Sequence, residues 1–217
     1  MFNEATVIGS VVTGLLEEFS HVVCVDDGSS DGSAAIARSA GAVVVQHPVN
    51  LGQGAALQTG FEYALQDPEL EAVITFDADG QHRVADAAVM LARVRAGEAD
   101  VVLGSRFLEG SADVSRLKRL VLRTAALQSR MSTGLQLTDA HNGLRVFNRT
   151  VAEGMNITLN GMGHASQIVE MIAHEEWRVA EEPVTILYTE YSMAKGQSLI
   201  NGVNILFDAL LRTNARR

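Results

Sequence analysis

The chain carries at residues 73–82 the stretch Val73-Ile74-Thr75-Phe76-Asp77-Ala78-Asp79-Gly80-Gln81-His82. An apolar run of this length followed by a polar turn is typical of a strand buried in a parallel sheet. Side chains two residues apart on a strand point to the same side, so Asp77 and Asp79 are expected to converge where the strand ends. Ligands of open α/β sheets bind at that edge. Two carboxylates there favour a Mg²⁺ or Mn²⁺ site that also holds phosphates, and a plain polar turn is the alternative.

Helical and strand-like patterns alternate along most of the chain. The periodicity predicts helices over residues 7–19, 34–40, 50–65, 84–96 and 163–174, and strands over residues 21–25, 42–46, 73–76 and 100–104. Residues 139–149 read as a polar loop that runs into a short strand, and residues 179–188 read as extended. This alternation predicts an α/β fold, a single Rossmann-like domain with a mostly parallel central sheet flanked by helices.

The two ends of the chain differ from the regular alternation of helices and strands. A helical pattern follows Met1–Glu4 directly, which predicts that the first strand of the sheet is missing. Residues 114–134 and 198–211 also read as helices, the second of them amphipathic and followed by arginines. We therefore expect one domain over residues 1–198, and a C-terminal amphipathic helix with a basic tail over residues 199–217. That helix would face a membrane surface, a small membrane protein or the domain's own sheet.

Composition narrows the functional class. The chain has 217 residues and a formal net charge of −9, which argues against binding nucleic acid through its phosphate backbone. Its one cysteine, Cys24, lies in an apolar run and reads as a core residue. No apolar run approaches bilayer-spanning length, and no signal peptide is evident, so we expect a cytoplasmic protein, with peripheral contact to the membrane as an option.

Further polar residues are expected at the same sheet edge. Asp26 and Asp27 follow the first strand, and capping of the next helix would account for one of them. Arg106 follows a later strand, where it would favour a phosphate or carboxylate partner. The glycine-rich residues 50–60 lack both the phosphate-loop ending and the dinucleotide spacing, so a helix start facing an anion and simple close packing both remain open.

Six motifs together resemble family-2 glycosyltransferases, and most of all the branch of dolichol-phosphate mannose synthases and polyprenyl-phosphate glycosyltransferases. In order along the chain they occupy residues 3–4, 25–32, 50–54, 77–82, 104–106 and 142–145. The resemblance extends from Asn3 to about Lys195. It implies a GT-A fold and a nucleotide-sugar donor bound with Mg²⁺ or Mn²⁺.

The resemblance also implies roles for individual residues. Those matching the metal-binding motif are Asp77, Asp79 and Gln81. Those matching nucleotide-contacting positions are Glu4, Asp26 and Asp27, with Asp77 also on the donor side. Arg106 and Arg145 match basic residues near the donor and acceptor phosphates, and Lys195 resembles a lysine near the donor diphosphate. The residues around Lys195 depart from the usual motif, and the Pro and aromatic residue that end the family's first strand are missing.

The expected reaction is inverting transfer of a sugar from a UDP- or GDP-sugar to a polyprenyl or dolichyl phosphate. Asp79, Arg106 and Arg145 are the expected catalytic residues, and Arg116, Lys118 and Arg119 offer further charge to anchor the acceptor. A glycan, a protein or another lipid as acceptor, and a non-catalytic nucleotide-binding role, are alternatives. A sugar nucleotidyltransferase is a more distant one, because such enzymes carry a basic glycine-rich loop where this chain has Asn3-Glu4.

Overall fold

The computed structural model describes residues 1–108, 134–161, 163–188 and 191. The helices of this part are α1 (Ile8–Glu18), α2 (Ser33–Ser39), α3 (Gln53–Ala64), α4 (Val84–Arg95), α5 (Arg149–Gly154) and α6 (Gly163–His174). The strands are β1 (Val23–Asp26), β2 (Val43–Gln46), β3 (Ala72–Thr75), β4 (Val101–Ser105), β5 (Arg145–Asn148) and β6 (Val179–Pro183). Each predicted helix and strand in this part of the chain is present, with ends shifted by a few residues.

The strands form two hydrogen-bonded groups. β1 and β2 pair in parallel, and a second sheet has the order β3-β5-β4-β6. In that sheet β5 runs antiparallel to both β3 and β4, whereas β4 and β6 are parallel. β3, β4 and β6 therefore share one direction, and the expected α/β fold with a largely parallel sheet is confirmed. The reversed strand β5 in the middle of the sheet was not predicted.

Met1 lies along the free edge of β1. Its ammonium group donates to the carbonyl oxygen of Val25 at 2.7 Å, and its own carbonyl accepts from the Asp27 N–H at 3.0 Å. This alternation is that of a short parallel ladder. Among the described residues no strand joins β1 to β3.

Helices cover both faces of the larger sheet. On one face Val101, Leu103 and Phe147 pack with α3 and α6, and Phe147 meets Phe61 edge to face at 5.3 Å. On the other face Val102 and Val146 pack against α4. Neighbouring residues of β4 and β5 thus face opposite layers, as the alternation of a strand requires. This packing leaves the ends of the strands open to form a site.

Several predictions fall outside the described residues. They are the helix over residues 114–134 apart from Gly134, the helix over residues 198–211, and the domain boundary between residues 198 and 199. Within the described ranges, no helix has the length and apolar character needed to cross a bilayer.

Candidate active site

The acidic turn after β3 contains the three predicted metal ligands. β3 ends at Thr75, so Asp77 and Asp79 lie in the turn beyond the strand, and the prediction that they share a strand face is wrong. Gly80 has φ +75°, a left-handed conformation that glycine adopts without strain. Asp79 Oδ1 accepts the Gln81 N–H at 3.0 Å. Turn geometry, rather than strand alternation, therefore positions these residues.

The Asp77 carboxylate is held between a histidine and a glycine. His82 Nε2 lies 3.0 Å from Asp77 Oδ2. On its other side the carboxylate lies directly against Gly143, where an added Cβ would come within 2.6 Å of Asp77 Cγ. The Thr75 hydroxyl donates to the Gly143 carbonyl at 2.8 Å and fixes that backbone. A side chain at position 143 would therefore displace Asp77.

The two carboxylates have opposite pKa shifts. Burial raises the pKa of Asp77, but the His82 hydrogen bond and nearby positive charge outweigh it, so the net pKa lies below the usual value. Burial raises the pKa of Asp79, and the negative charges of Asp77 and Glu4 raise it further. The Gln81 hydrogen bond and the His82 charge act in the opposite direction but do not outweigh these effects. A bound cation would relieve the repulsion between the carboxylates.

Arg106 is committed to a salt bridge. Its guanidinium contacts the Asp139 carboxylate at 2.6 Å (Nε–Oδ2) and 2.8 Å (Nη2–Oδ1), and the Asp139 side chain is only 1% exposed. Burial raises the pKa of Asp139, yet the Arg106 bonds bring it below the ordinary value. Glu181 of β6 holds this loop by accepting the N–H groups of Thr138 and Asp139 at 2.8 and 3.0 Å. Arg106 is thereby paired within the protein, although it still borders the cavity.

Arg145 is the more deeply buried cation of the site. It begins β5, opposite Thr75 on β3, and is 3% exposed. Its one hydrogen bond from the guanidinium to another described residue is a long 3.5 Å contact with the Ala140 carbonyl. Burial lowers its pKa to about 10, while Asp77 and Asp139 oppose the shift. Arg145 is therefore still protonated at neutral pH and retains capacity to bind an anion.

Two histidines surround this arginine. Burial lowers the pKa of His141, and the positive charge of Arg145 lowers it further. Burial also lowers the pKa of His164, whose Nδ1 lies close to the Gly161 carbonyl. Both rings are consequently neutral at pH 7. The contact of His164 with the Gly161 carbonyl gives this histidine a structural role.

The acidic and basic groups meet at one cavity of about 120 Å³. Its walls are formed by Asp77, Gln81, His82, Arg106, His141, Asn142, Gly143, Ile186 and Tyr188. The wall from residues 186 to 188 is attached to the acidic turn through a bridge between His82 and Ile186 and a 2.8 Å bond from the Leu187 N–H to the Gln81 carbonyl. Three predicted site residues, Asp77, Gln81 and Arg106, are thus brought together.

Glu4 lies near the acidic turn, as its effect on Asp79 shows. Its backbone N–H donates to Ser33 Oγ at 2.8 Å, and its carboxylate accepts the Tyr191 hydroxyl at 2.9 Å. Its carbonyl oxygen accepts the backbone N–H of Ile8, the first residue of α1. The loop before α2 therefore holds Glu4 next to the predicted metal ligands.

Asp26 and Asp27 have internal roles and do not line the cavity. Asp27 accepts the N–H groups of Leu51 and Gly52, each at 2.8 Å, and lies 2.8 Å from His47 Nδ1. Asp26 accepts from Ser29 and from the Gln46 amide. Neither caps α2, since Asp31 provides that contact to Ser33. Asp27 instead fixes the glycine-rich loop before α3, and contact of either aspartate with a nucleotide stays a prediction.

Sequence reasoning overlooked several residues that build the site. The sequence places His82, Asn142 and Gly143 within motifs without indicating a role for them, and it indicates no partner for Asp139. The Asn142-Gly143 pair was the available signal, because it marks a turn in which a backbone can approach another group closely. Lys195, Arg116, Lys118 and Arg119 lie outside the described residues.

The acidic turn is suited to a divalent cation whose remaining coordination positions are filled by a phosphate group. No group of three or more His, Cys, Asp or Glu side chains suited to a metal occurs in the described part of the chain. Mg²⁺, however, commonly takes one or two carboxylates and completes its shell with substrate phosphates and water. The Asp77 and Asp79 carboxylates and the Gln81 amide oxygen are donors of the appropriate kind. The negative charges that Asp77 and Glu4 place around Asp79 support the same fit.

Comparison with known proteins places the chain in a family. Residues 1–155 match the family described as Glycosyl transferase family 2, so the chain belongs to this family and is a glycosyltransferase. The resemblance inferred from the six motifs is thereby confirmed.

Two curated relatives cover most of the chain. It is 32% identical over 196 residues to the polyprenol monophosphomannose synthase of Mycolicibacterium smegmatis, covering 85% of this chain and 72% of the relative. It is 25% identical over 232 residues to the UDP-N-acetylglucosamine--dolichyl-phosphate N-acetylglucosaminyltransferase of Methanococcus voltae, covering 97% and 92%.

A solved structure shares the fold. The glucosyl-3-phosphoglycerate synthase of Mycobacterium tuberculosis, in complex with Mn²⁺ and UDP-glucose, superposes with a TM-score of 0.69 at 17% identity. The match covers 98% of this chain and 76% of that one. At this identity the likeness supports the GT-A-like architecture alone.

Proposed function

We propose that the chain transfers a sugar from a UDP- or GDP-sugar to the phosphate of a polyprenyl or dolichyl phosphate. The observation that carries this proposal is the meeting of an acidic turn, at Asp77, and a cationic wall, at Arg106 and near Arg145, around one cavity. Such a pairing suits a metal-bound diphosphate next to a second anion. The mannose and N-acetylglucosamine transferases similar to this chain carry acceptors of this type in their names.

The reaction is an in-line displacement at the anomeric carbon. An oxygen of the acceptor phosphate forms the new bond, and the nucleoside diphosphate leaves with the bonding electrons, which inverts the configuration. A phosphate monoester is already anionic near neutral pH, so no strong general base is needed.

A few side chains would stabilise the charges of the donor diphosphate and the acceptor phosphate. Asp77, Asp79 and Gln81 would hold Mg²⁺ or Mn²⁺, and Glu4 would contact the nucleotide. When bound, the cation neutralises the charge that builds on the leaving diphosphate. Arg145 stays protonated at pH 7 and, although it is not among the residues that line the cavity, adds positive charge near the acceptor phosphate. Arg106, held by Asp139, lies in the cavity wall and would contact that phosphate. Lys195 is proposed for the donor diphosphate from its position in the sequence alone.

A lipid acceptor implies work at a membrane surface. Leu187 and Tyr188 continue the cavity wall and are 42% and 51% exposed, which gives the acceptor's apolar chain a place to leave the cavity. We propose a cytoplasmic protein that binds peripherally to the membrane, with residues 199–217 contributing the contact. A small membrane protein as partner stays a prediction from the sequence.

The test is a transfer assay with a panel of radiolabelled UDP- and GDP-sugars and undecaprenyl or dolichyl phosphate. We expect label in the organic phase with at least one donor, in the presence of Mg²⁺ or Mn²⁺. Donor binding without transfer to either lipid would contradict the acceptor assignment and would redirect the search to glycans, proteins or other lipids. Release of pyrophosphate from a sugar phosphate and a nucleoside triphosphate would point instead to a nucleotidyltransferase.

A further inference from the structure

We propose that Asn142 is a phosphate ligand, whose side-chain amide donates a hydrogen bond from Nδ2 to a phosphoryl oxygen held in the cavity. The inference rests on the proposed function only for the identity of the phosphate-bearing molecule. Asn142 begins the motif over residues 142–145, and no role for it follows from the family match.

The orientation of the amide is set by the backbone. Asn142 Oδ1 accepts the Leu144 N–H at 2.9 Å. The flipped amide would place its NH₂ group against that N–H, so two donors would face each other. Oδ1 is therefore engaged with the loop, and Nδ2 is the end that is left for another acceptor.

That donor has no acceptor within the described part of the protein. Asn142 is 4% exposed, and its Nδ2 is buried without a hydrogen-bond partner among the described residues. An unpaired buried donor is unfavourable, and native proteins seldom leave one. Because Asn142 lines the cavity, a ligand in the cavity is the natural source of the acceptor.

The chemistry of the surrounding groups selects an anion. An NH₂ group repels a metal ion, and the neighbouring Arg106 guanidinium favours negative charge in the same cavity. The other buried unpaired side-chain atom among the described residues is His82 Nδ1. Its ring already bonds the Asp77 carboxylate through Nε2 at 3.0 Å. The NH₂ group of Asn142, in contrast, can only donate.

The cavity has room for the group. Its volume is about 120 Å³, and one water occupies about 30 Å³ in the liquid, so a phosphate group fits within it. Two phosphates could accept the Asn142 hydrogen bond: that of the lipid acceptor and the distal phosphate of the donor. Their oxygens have the same chemistry, so the test distinguishes the two by steady-state kinetics.

Two substitutions isolate the donor. Asn142→Asp keeps the oxygen that accepts from Leu144 and replaces the NH₂ group with a second oxygen. Asn142→Ser keeps a hydroxyl acceptor but shortens the side chain, and it serves if the extra charge beside Asp77 impairs folding. Asn156→Asp makes the same change at an exposed asparagine and is the control. Thermal unfolding without ligand confirms that each variant is folded.

The measurement is calorimetric titration with inorganic phosphate and with uridine diphosphate plus Mg²⁺, followed by steady-state transfer kinetics. We expect Asn142→Asp to weaken phosphate binding about tenfold or more, and Asn142→Ser about threefold or more, with Asn156→Asp unchanged. A raised KM for polyprenyl phosphate alone assigns the bond to the acceptor, and a raised KM for the nucleotide sugar alone assigns it to the donor.

Two results would overturn the proposal. One is phosphate binding and KM values in folded Asn142 variants that equal those of the wild type. The other is a wild-type protein that binds neither inorganic phosphate nor uridine diphosphate. Because binding is read without turnover, a wild type that binds phosphate but transfers no sugar would count against the proposed function and leave the Asn142 comparison decisive.

Discussion

The guanidinium of Arg106 and the carboxylate of Asp139 form a two-point salt bridge, with N–O distances of 2.6 and 2.8 Å. Asp139 also accepts the Arg106 backbone N–H at 3.1 Å, so one buried acid fixes both the side chain and the main chain of the arginine. Arg145 has no comparable partner among the described residues. The two arginines therefore differ in their bonding: Arg106 is fixed in the cavity wall by Asp139, whereas Arg145 makes one long hydrogen bond to another described residue.

Asp139→Asn should destabilise the protein at neutral pH by about 2 kcal/mol, because it leaves a largely buried guanidinium without its counter-charge. Chemical denaturation measures this change. Glu71→Gln, which breaks the exposed pair with Arg95, is the control and should have little effect. Equal stabilities of the two variants would contradict the structural importance of the Arg106–Asp139 pair.

We also expect Asp139→Asn to change how the stability of the protein depends on pH in the acid range. The pKa of Asp139 is below its ordinary value of 3.8 in the folded protein, so the unfolded chain takes up this proton first as the pH falls. Its contribution is complete above about pH 4 and is lost as the pH falls towards the folded pKa. Asp139→Asn should therefore lose less stability than the wild type between about pH 4 and pH 2. Parallel pH profiles for the two proteins would refute this assignment.

Gly143→Ala should lower the rate of sugar transfer at least tenfold, because the new Cβ would push the Asp77 carboxylate away from His82 and out of its position in the acidic turn. Gly60→Ala is the matched control, since its Cβ would meet Val25 at an ordinary 3.6 Å. Initial rates and circular dichroism spectra of both variants make the comparison. A fully active Gly143→Ala protein would show that the position of Asp77 does not matter for turnover.

Asp79→Asn should lower the rate of metal-dependent transfer about a hundredfold or more. The same substitution should raise the free energy of unfolding of the metal-free protein at pH 7. The pKa of Asp79 is raised in the folded protein, so its charged form opposes folding above that pKa and the neutral amide removes the penalty. Transfer rates with Mn²⁺ and denaturation without it test the two effects. Unchanged activity would remove the metal role, and lower stability would refute the electrostatic account.

Arg145→Gln should raise the pKa values of both His141 and His164, because the positive charge of Arg145 lowers each of them in the wild type. The same substitution should raise the KM for the acceptor more than that for the donor. Titration of the imidazole resonances by NMR measures the shifts. Histidine pKa values that do not move would place the Arg145 charge away from this cluster.

The local pattern was sufficient to predict most elements of the described chain. Helices α1 and α4 and strands β2 and β4 follow from apolar periodicity and turn residues, which act within a few positions. The reversed strand β5 could not be foreseen, because a four-residue strand carries no sign of which strands it will join. Its place between β3 and β4 depends on pairing over long stretches of sequence.

The site was predictable in composition and less so in geometry. The strand pattern singled out Asp77 and Arg106, and the resemblance added Gln81 and Arg145. The structure gathers the first three of these residues, Asp77, Arg106 and Gln81, at one cavity, with the charge of Arg145 close to Asp77. The pairing of Arg106 with Asp139, 33 positions away, has no local signal. The internal bonds of Asp27 likewise depend on a loop 24 positions further along, so a residue that looks ready for a ligand is already satisfied.

Acceptor-dependent release of nucleoside diphosphate tests the central claim most directly. The protein, Mn²⁺ and the donor that supports transfer are incubated with undecaprenyl phosphate or with undecaprenol, which lacks only the phosphate. The account predicts rapid release of diphosphate with undecaprenyl phosphate, with an equal amount of sugar-bearing lipid, and only background hydrolysis with undecaprenol. Equal release with both lipids, or release that needs neither lipid, would contradict transfer to a phosphate acceptor.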